Sequence, residues 1–170
     1  MAQKAIGPNF SNELAASGLA GLQFSWGSDG VIEFGPDVTD AQKTAINAVY
    51  AAHDPAKPDP NAELATRLAA GIVVTSAATP ALNGTYGIDA ESQRFISGTA
   101  AGIAARNRLP GGQATFGYGD LQGNDHDFTQ ADFLNFADAV EDYVLALYAT
   151  CKALLAGQVA TWPSNAITIA

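Results

Sequence analysis

Two histidines, one cysteine and one acidic loop hold most of the reactive side chains of this 170-residue sequence. Nucleophilic catalysis needs a nucleophile, a base within hydrogen-bond reach and a group that orients the base. Only His53 and His126 could supply an imidazole base. His53 closes a helical stretch just before a proline-rich segment, where a partly charged ring favours the last helix carbonyls. His126 lies between Asp125 and Asp127, so a carboxylate could orient it, but no GxSxG elbow or Cys-plus-His pattern accompanies it, and it reads as a loop histidine. Cys151 falls on the apolar face of a helix, where a thiol behaves as a small hydrophobe with little thiolate character. No catalytic residue is therefore expected.

Metal chemistry has one candidate. Asp120, Asn124, Asp125 and Asp127 are closely spaced oxygen ligands of the kind calcium takes, yet their spacing is not that of an EF-hand loop, so they read as a solvated acidic turn and only weakly as a calcium site. A single cysteine rules out thiolate clusters, CxxC redox motifs and an intramolecular disulfide, and zinc lacks ligands. Neither GxGxxG after a strand nor GxxxxGK[ST] occurs, so no cofactor is expected. Paired carboxylates for glycoside cleavage are a tertiary fact that acidic residues this common cannot signal. Aromatic residues cluster in the strand and turn regions. Most are expected to pack sheets on helices, while Tyr118 and Trp162, with Phe136, Val140, Tyr143 and Leu147 of the last helix, are candidates for a subunit contact, where aromatics are enriched.

The elements that must position these residues follow from local signals. Leu22–Trp26 and Val31–Phe34 flank the turn Gly27-Ser28-Asp29-Gly30 and predict a β-hairpin. Thr39 and Gln42 form a capping box before a helix that reaches His53. Pro55, Pro58 and Pro60 mark a boundary, which divides the chain into a hairpin-helix module (1–54), a linker (55–61) and a larger domain (62–170). In that domain a short helix over Ala62–Ala70 leads into a β-branched strand, Ile72–Ser76. Asn83-Gly84 predicts the turn of a second hairpin. Asp89 caps a helix to about Asn107 with Phe95, Ile96, Ala100 and Ile103 on one face. Short strands are expected around Phe116–Tyr118, with a loop around Gln122–Asp125. Thr129 and Asp132 then cap a long amphipathic helix ending at Leu155, Phe128 stapling onto Phe133, and Ala166–Ile169 reads as a terminal strand. The expected class is α+β. The helix stripe from Phe133 to Leu155 is broad enough that part of it is expected to meet another helix or a neighbouring subunit.

The formal charge is −9, and hydrophobic types make up 48 % against 15 % charged. Phosphate backbones and anionic membranes are repelled by such a chain, and a surface this poor in charge implies that some of it is covered. Residues Met1–Phe10 lack the apolar core of a secretory signal and no run approaches a membrane span, so a soluble product is expected.

Several phrases carry a resemblance. Gly71–Ser76 through Pro80–Tyr86, then Leu109-Pro110-Gly111-Gly112, His126-Asp127-Phe128-Thr129 and the closing helix resemble proteins encoded in the tail modules of tailed phages and prophages. Asp37-Val38-Thr39 and Ala51–Pro55 are similar to segments of small proteins from the same modules. The resemblance implies a non-enzymatic virion component of the tail, at the fibre, baseplate or tail tip. Such a part would be made in the host cytoplasm and would assemble with itself and with other tail proteins as a homo-oligomer. The alternatives are a tail-fibre assembly chaperone and, from another class, a calcium-dependent binder of host-surface glycans or a hydrolase.

Overall fold

The computed structural model describes residues 3–169. The fold is α+β, with short strands in small sheets. The chain forms two compact units, the first of residues up to Glu63 together with Cys151–Ala160, the second of Leu64–Thr150 with Thr161 onward. The last turn of the long helix thus belongs to the first unit, an assignment that a division read along the chain does not anticipate.

The first unit contains α1 (Phe10–Ala16), the antiparallel pair β1 (Phe24–Trp26) and β2 (Ile32–Phe34), and α2 (Asp40–Ala52). The hairpin and the capping box form as their residues predict: Gln42 N–H donates to Thr39 Oγ1 at 3.3 Å, and the Gln42 side chain accepts from Thr39 N–H at 2.9 Å. At the N-cap of helix α1 the Asn9 side chain makes no capping hydrogen bond, and the helix exists because Phe10 and Leu14 join Ile6, Leu19, Val38 and Ile46 in a small core. The proline segment passes directly into α3 (Pro60–Ala70), whose first turn is capped by Asp59 through Asn61 N–H at 2.9 Å. Pro60 stands at the one end of a helix that tolerates it.

In the second unit β3 (Ile72–Ser76) is the central strand of a sheet ordered β4 (Gly84–Tyr86), β3, β7 (Ala166–Ile169). β4 pairs antiparallel to β3, with Ile72 opposite Tyr86, and β7 pairs parallel, with Val74 opposite Ile167. Asn83-Gly84 is not the expected turn. Asn83 is extended, and its side-chain oxygen accepts from Ser76 N–H at 2.6 Å, closing the β3–β4 connection across a 3-10 turn at Pro80–Leu82. Gly84 is instead the first residue of β4.

Helix α4 (Ala90–Arg106) is capped by Asp89, which accepts from Glu91 and Ser92 N–H, and ends at Asn107 in the left-handed region. β5 (Phe116–Gly119) and β6 (Asp125–Phe128) form a hairpin in which Tyr118 faces His126. Helix α5 (Gln130–Leu155) starts as its residues predict, with Thr129 Oγ1 donating to Asp132 at 2.7 Å and the Phe128 and Phe133 rings 5.7 Å apart. Gly157, with φ +75°, ends it, its N–H donating to Leu154 O. The unit's core joins Ile72, Val74, Tyr86, Ile96, Ile103, Phe128, Phe133, Phe136, Val140 and Leu147.

Candidate functional site

The polar centre of the second unit is built on the β5–β6 turn. After β5, Asp120 folds its carboxylate back over the turn: Oδ1 accepts from Gln122 N–H at 2.9 Å and Asn124 N–H at 2.8 Å, while Oδ2 accepts from the Asn124 amide at 2.9 Å. Oδ2 also faces His126 Nε2 at 3.2 Å, and the Asp120 side chain is only 3 % exposed. These donors, the Asn124 side chain foremost, hold the acid down to about 2 against the opposing effect of burial.

His126 lies on β6, not in a loop, and the period of two along a strand turns it away from Asp125 and Asp127. Its Nδ1 meets Ala81 O at 2.6 Å and its Nε2 meets Asp120. Burial opposes a charge on this ring, but the Ala81 carbonyl and then Asp120 outweigh it, and the pKa is raised. With an acceptor at each nitrogen the imidazolium is satisfied on both sides. The ring clasps β6 to the β3–β4 connection and has no free lone pair with which to act as a base. Gly84 makes room for the clasp, because a Cβ there would lie 3.2 Å from both Asp120 Oδ2 and His126 Nε2.

The calcium candidates are not gathered. Asp120 is committed to its turn and to His126, Asp125 and Asp127 are exposed on the other face of β6, and among the described residues no group of three or more His, Cys, Asp or Glu could hold a metal. Asp120 and Asn124 are bonded to each other within the turn, and strand alternation puts Asp125 and Asp127 on the face of β6 away from His126 and its partner Asp120.

An aromatic stack flanks the clasp. Tyr86 is fully buried, donates its hydroxyl to Leu82 O at 2.7 Å, and lies 6.0 Å from the nearly parallel ring of Tyr118. Burial, then Asp120 and Tyr118, push its pKa up. Tyr118 stacks in turn on Phe95 at 5.6 Å and 9°. Phe95 is 49 % exposed, contrary to its expected place on the buried face of α4. Ile96 and Ile103, seven residues apart, centre that face, which leaves Phe95 turned about 100° away from it. Beside the stack lies a cavity of about 360 Å3 lined by Glu91, Ser92, Phe95, Gly117, Tyr118 and Gly119.

The expected subunit-contact residues divide. Phe136, Val140, Tyr143 and Leu147 are buried in the core of their own unit, and the stripe is covered by the sheet, α4 and the hairpin aromatics. Tyr118 and Trp162 are partly exposed, and the Arg67 guanidinium lies over the Trp162 ring at 5.1 Å. The apolar side chains left open on α5 are others: Leu145 at 59 % and Tyr148 at 50 % exposure. Leu145 lines a groove of about 290 Å3 together with Ser97, Ala137, Val140 and Val144. The sequence does place them outside the main stripe, as apolar residues on an otherwise polar helix face.

In the first unit His53 does not reach the helix carbonyls. It is buried, with Nδ1–H donating to Glu13 Oε2 at 2.6 Å and Nε2 accepting from Gly7 N–H at 2.9 Å. Lys4 takes the expected role, its ammonium donating to Ala51 O and His53 O at the end of α2. The Glu13–His53 pair has the form of an oriented base, but the backbone amide of Gly7 occupies the nitrogen a substrate would need. Cys151 is buried, its thiol 3.5 Å from Pro60 O, and burial, then Asp59, raise its pKa, as befits an inert thiol.

One family model matches residues 55–170, that of a domain of unknown function (DUF4376), and because the match covers more than half of the sequence the chain belongs to that family. Neither curated proteins nor solved structures yield a match. No helix among the described residues is long and apolar enough to cross a membrane.

Proposed function

We propose that this DUF4376 member is a non-enzymatic structural component of a tailed-phage virion, located in the tail and acting by protein–protein assembly with copies of itself and with other tail proteins. The observation that carries the reading is the uncovered apolar surface of the second unit, where Leu145, which lines the α4–α5 groove, and Tyr148 stand about one turn apart and half exposed or more. Exposed apolar side chains of this size beside a groove offer a partner area that water hydrates poorly. The low share of charged residues and the tail-module phrases support the same reading. Both histidines have their ring nitrogens engaged by structural partners, which fits a chain built to hold shape.

Mass spectrometry of purified particles from a phage or prophage that encodes the chain tests the proposal. The chain is expected in several copies per particle, and Leu145→Glu with Tyr148→Glu is expected to abolish incorporation while the isolated protein stays folded. A chain that accompanies unassembled fibre protein but is absent from finished particles would replace this reading with that of an assembly chaperone.

A further inference from the structure

The cavity beside the aromatic stack is built from three kinds of surface. Phe95 and Tyr118 form an aromatic wall, and Phe116, 6.2 Å from Phe95 at 24°, backs the half-exposed Phe95 ring. Gly117 and Gly119 occupy the outward positions of β5, so strand backbone is bare where side chains would normally stand. Glu91 and Ser92 form the rim, in the first turn of α4. The exposed carboxylates of Asp127 and Asp125 border the same glycines, 3.9 Å and 3.6 Å from where their Cβ atoms would be.

Each surface restricts the ligand. An anion is repelled by Glu91, Asp125 and Asp127, and a wholly apolar ligand would strip water from those carboxylates and the strand backbone without replacing its hydrogen bonds. A cation gains from the carboxylates but cannot accept a hydrogen bond, whereas bare strand backbone presents both N–H and C=O groups. A neutral ring with an apolar C–H face and several hydroxyl groups satisfies all three surfaces. We propose that this cavity binds a saccharide, one pyranose ring lying on Phe95 while its hydroxyls donate to the Glu91 carboxylate and to strand carbonyls. At about 360 Å3 and largely open to solvent it is a shallow surface site, so it holds a short stretch of a glycan, weakly. Binding of this kind stands whether or not the chain is a tail component.

The test uses the isolated full chain, labelled with nitrogen-15 and titrated separately with maltotriose, cellotriose and chitotriose at millimolar concentrations. At least one trisaccharide is expected to shift the amide signals of Ser92, Gly117 and Gly119, with Phe95→Ala weakening it about tenfold or more through loss of the stacking face. Phe95→Leu keeps the bulk without the ring and is expected to weaken it similarly, and Glu91→Gln several-fold less. Silence from all three sugars overturns the proposal. So do shifts that survive Phe95→Leu in a protein with an otherwise unchanged spectrum. If the methylamide of N-acetyl-lysine shifts these amides and the sugars do not, the site takes a cation and the saccharide assignment is wrong.

Discussion

Glycine-to-alanine substitutions at two positions of the second unit should move stability in opposite directions, and the comparison tests whether the Asp120–His126 clasp is as rigid as its hydrogen bonds imply. A compatible Gly→Ala change stabilises by about 0.4–1 kcal/mol, mainly by restricting the unfolded chain. At Gly84 the new methyl would lie 3.2 Å from both Asp120 Oδ2 and His126 Nε2. Neither neighbour yields readily, since the carboxylate is held by three donors of the turn and the ring is bonded at both nitrogens. Overpacking of a tight site costs about 1–3 kcal/mol, so Gly84→Ala is expected to destabilise by roughly 0.5–2 kcal/mol net. Gly98, in the middle of α4, has no atom within 4 Å of its would-be Cβ. There the helix-propensity gain of about 1 kcal/mol applies unopposed, and Gly98→Ala is expected to stabilise. Urea unfolding followed through amide signals of the second unit measures both, and a proton NMR titration of His126 in Gly84→Ala should show its pKa moved back towards the ordinary value. A Gly84→Ala protein as stable as Gly98→Ala, with an unaltered His126 titration, would refute the rigid clasp.

Stability of the second unit should depend on pH from both sides. Asp120, held at about 2, contributes fully above the ordinary carboxylate range near 4 and loses that contribution as pH falls towards 2. His126 has a raised pKa, so its contribution is complete below the ordinary value of about 6.5 and fades as pH rises through the folded value. Urea midpoints against pH should therefore peak between these limits, and Asp120→Asn should flatten the acid limb. Phe136→Ala, at a fully buried ring touching Tyr86, Tyr118, Phe128 and Phe133, should cost about 3–5 kcal/mol by equilibrium unfolding. Thr39→Ala removes one half of the α2 capping box and should cost the first unit about 1 kcal/mol, read from exchange of the Gln42 amide proton. Millimolar calcium should leave the thermal midpoint unchanged, because the carboxylates of the acidic turn are committed or dispersed, and a rise would reinstate that site.

What the sequence by itself determined is the set of features settled within one helical turn. Thr39 with Gln42, Asp89 with Ser92, Thr129 with Asp132 and Phe128 with Phe133 meet because residues three to five apart are neighbours once a helix starts, whatever surrounds it. The β1–β2 hairpin and the long stripe of α5 are legible for the same reason, since strand and helix periods are local. Tertiary structure alone decided the rest. The parallel pairing of β7 with β3 joins segments about ninety residues apart, and no pattern in either strand names its partner. Asn83-Gly84 resembles a turn by local chemistry but is claimed by Ser76 on one side and by the crowding of Asp120 and His126 on the other. The acidic loop that spacing offered to calcium became a turn, a strand and a clasped histidine, because Asp120 folded back onto its own turn and onto His126, while a period of two sent Asp125 and Asp127 to the opposite face of β6. The cavity at Phe95 depends on which of two adjacent aromatic and aliphatic residues centres the face of α4, and on two glycines of a strand that arrives from elsewhere in the chain, contacts that exist only once the second unit has folded.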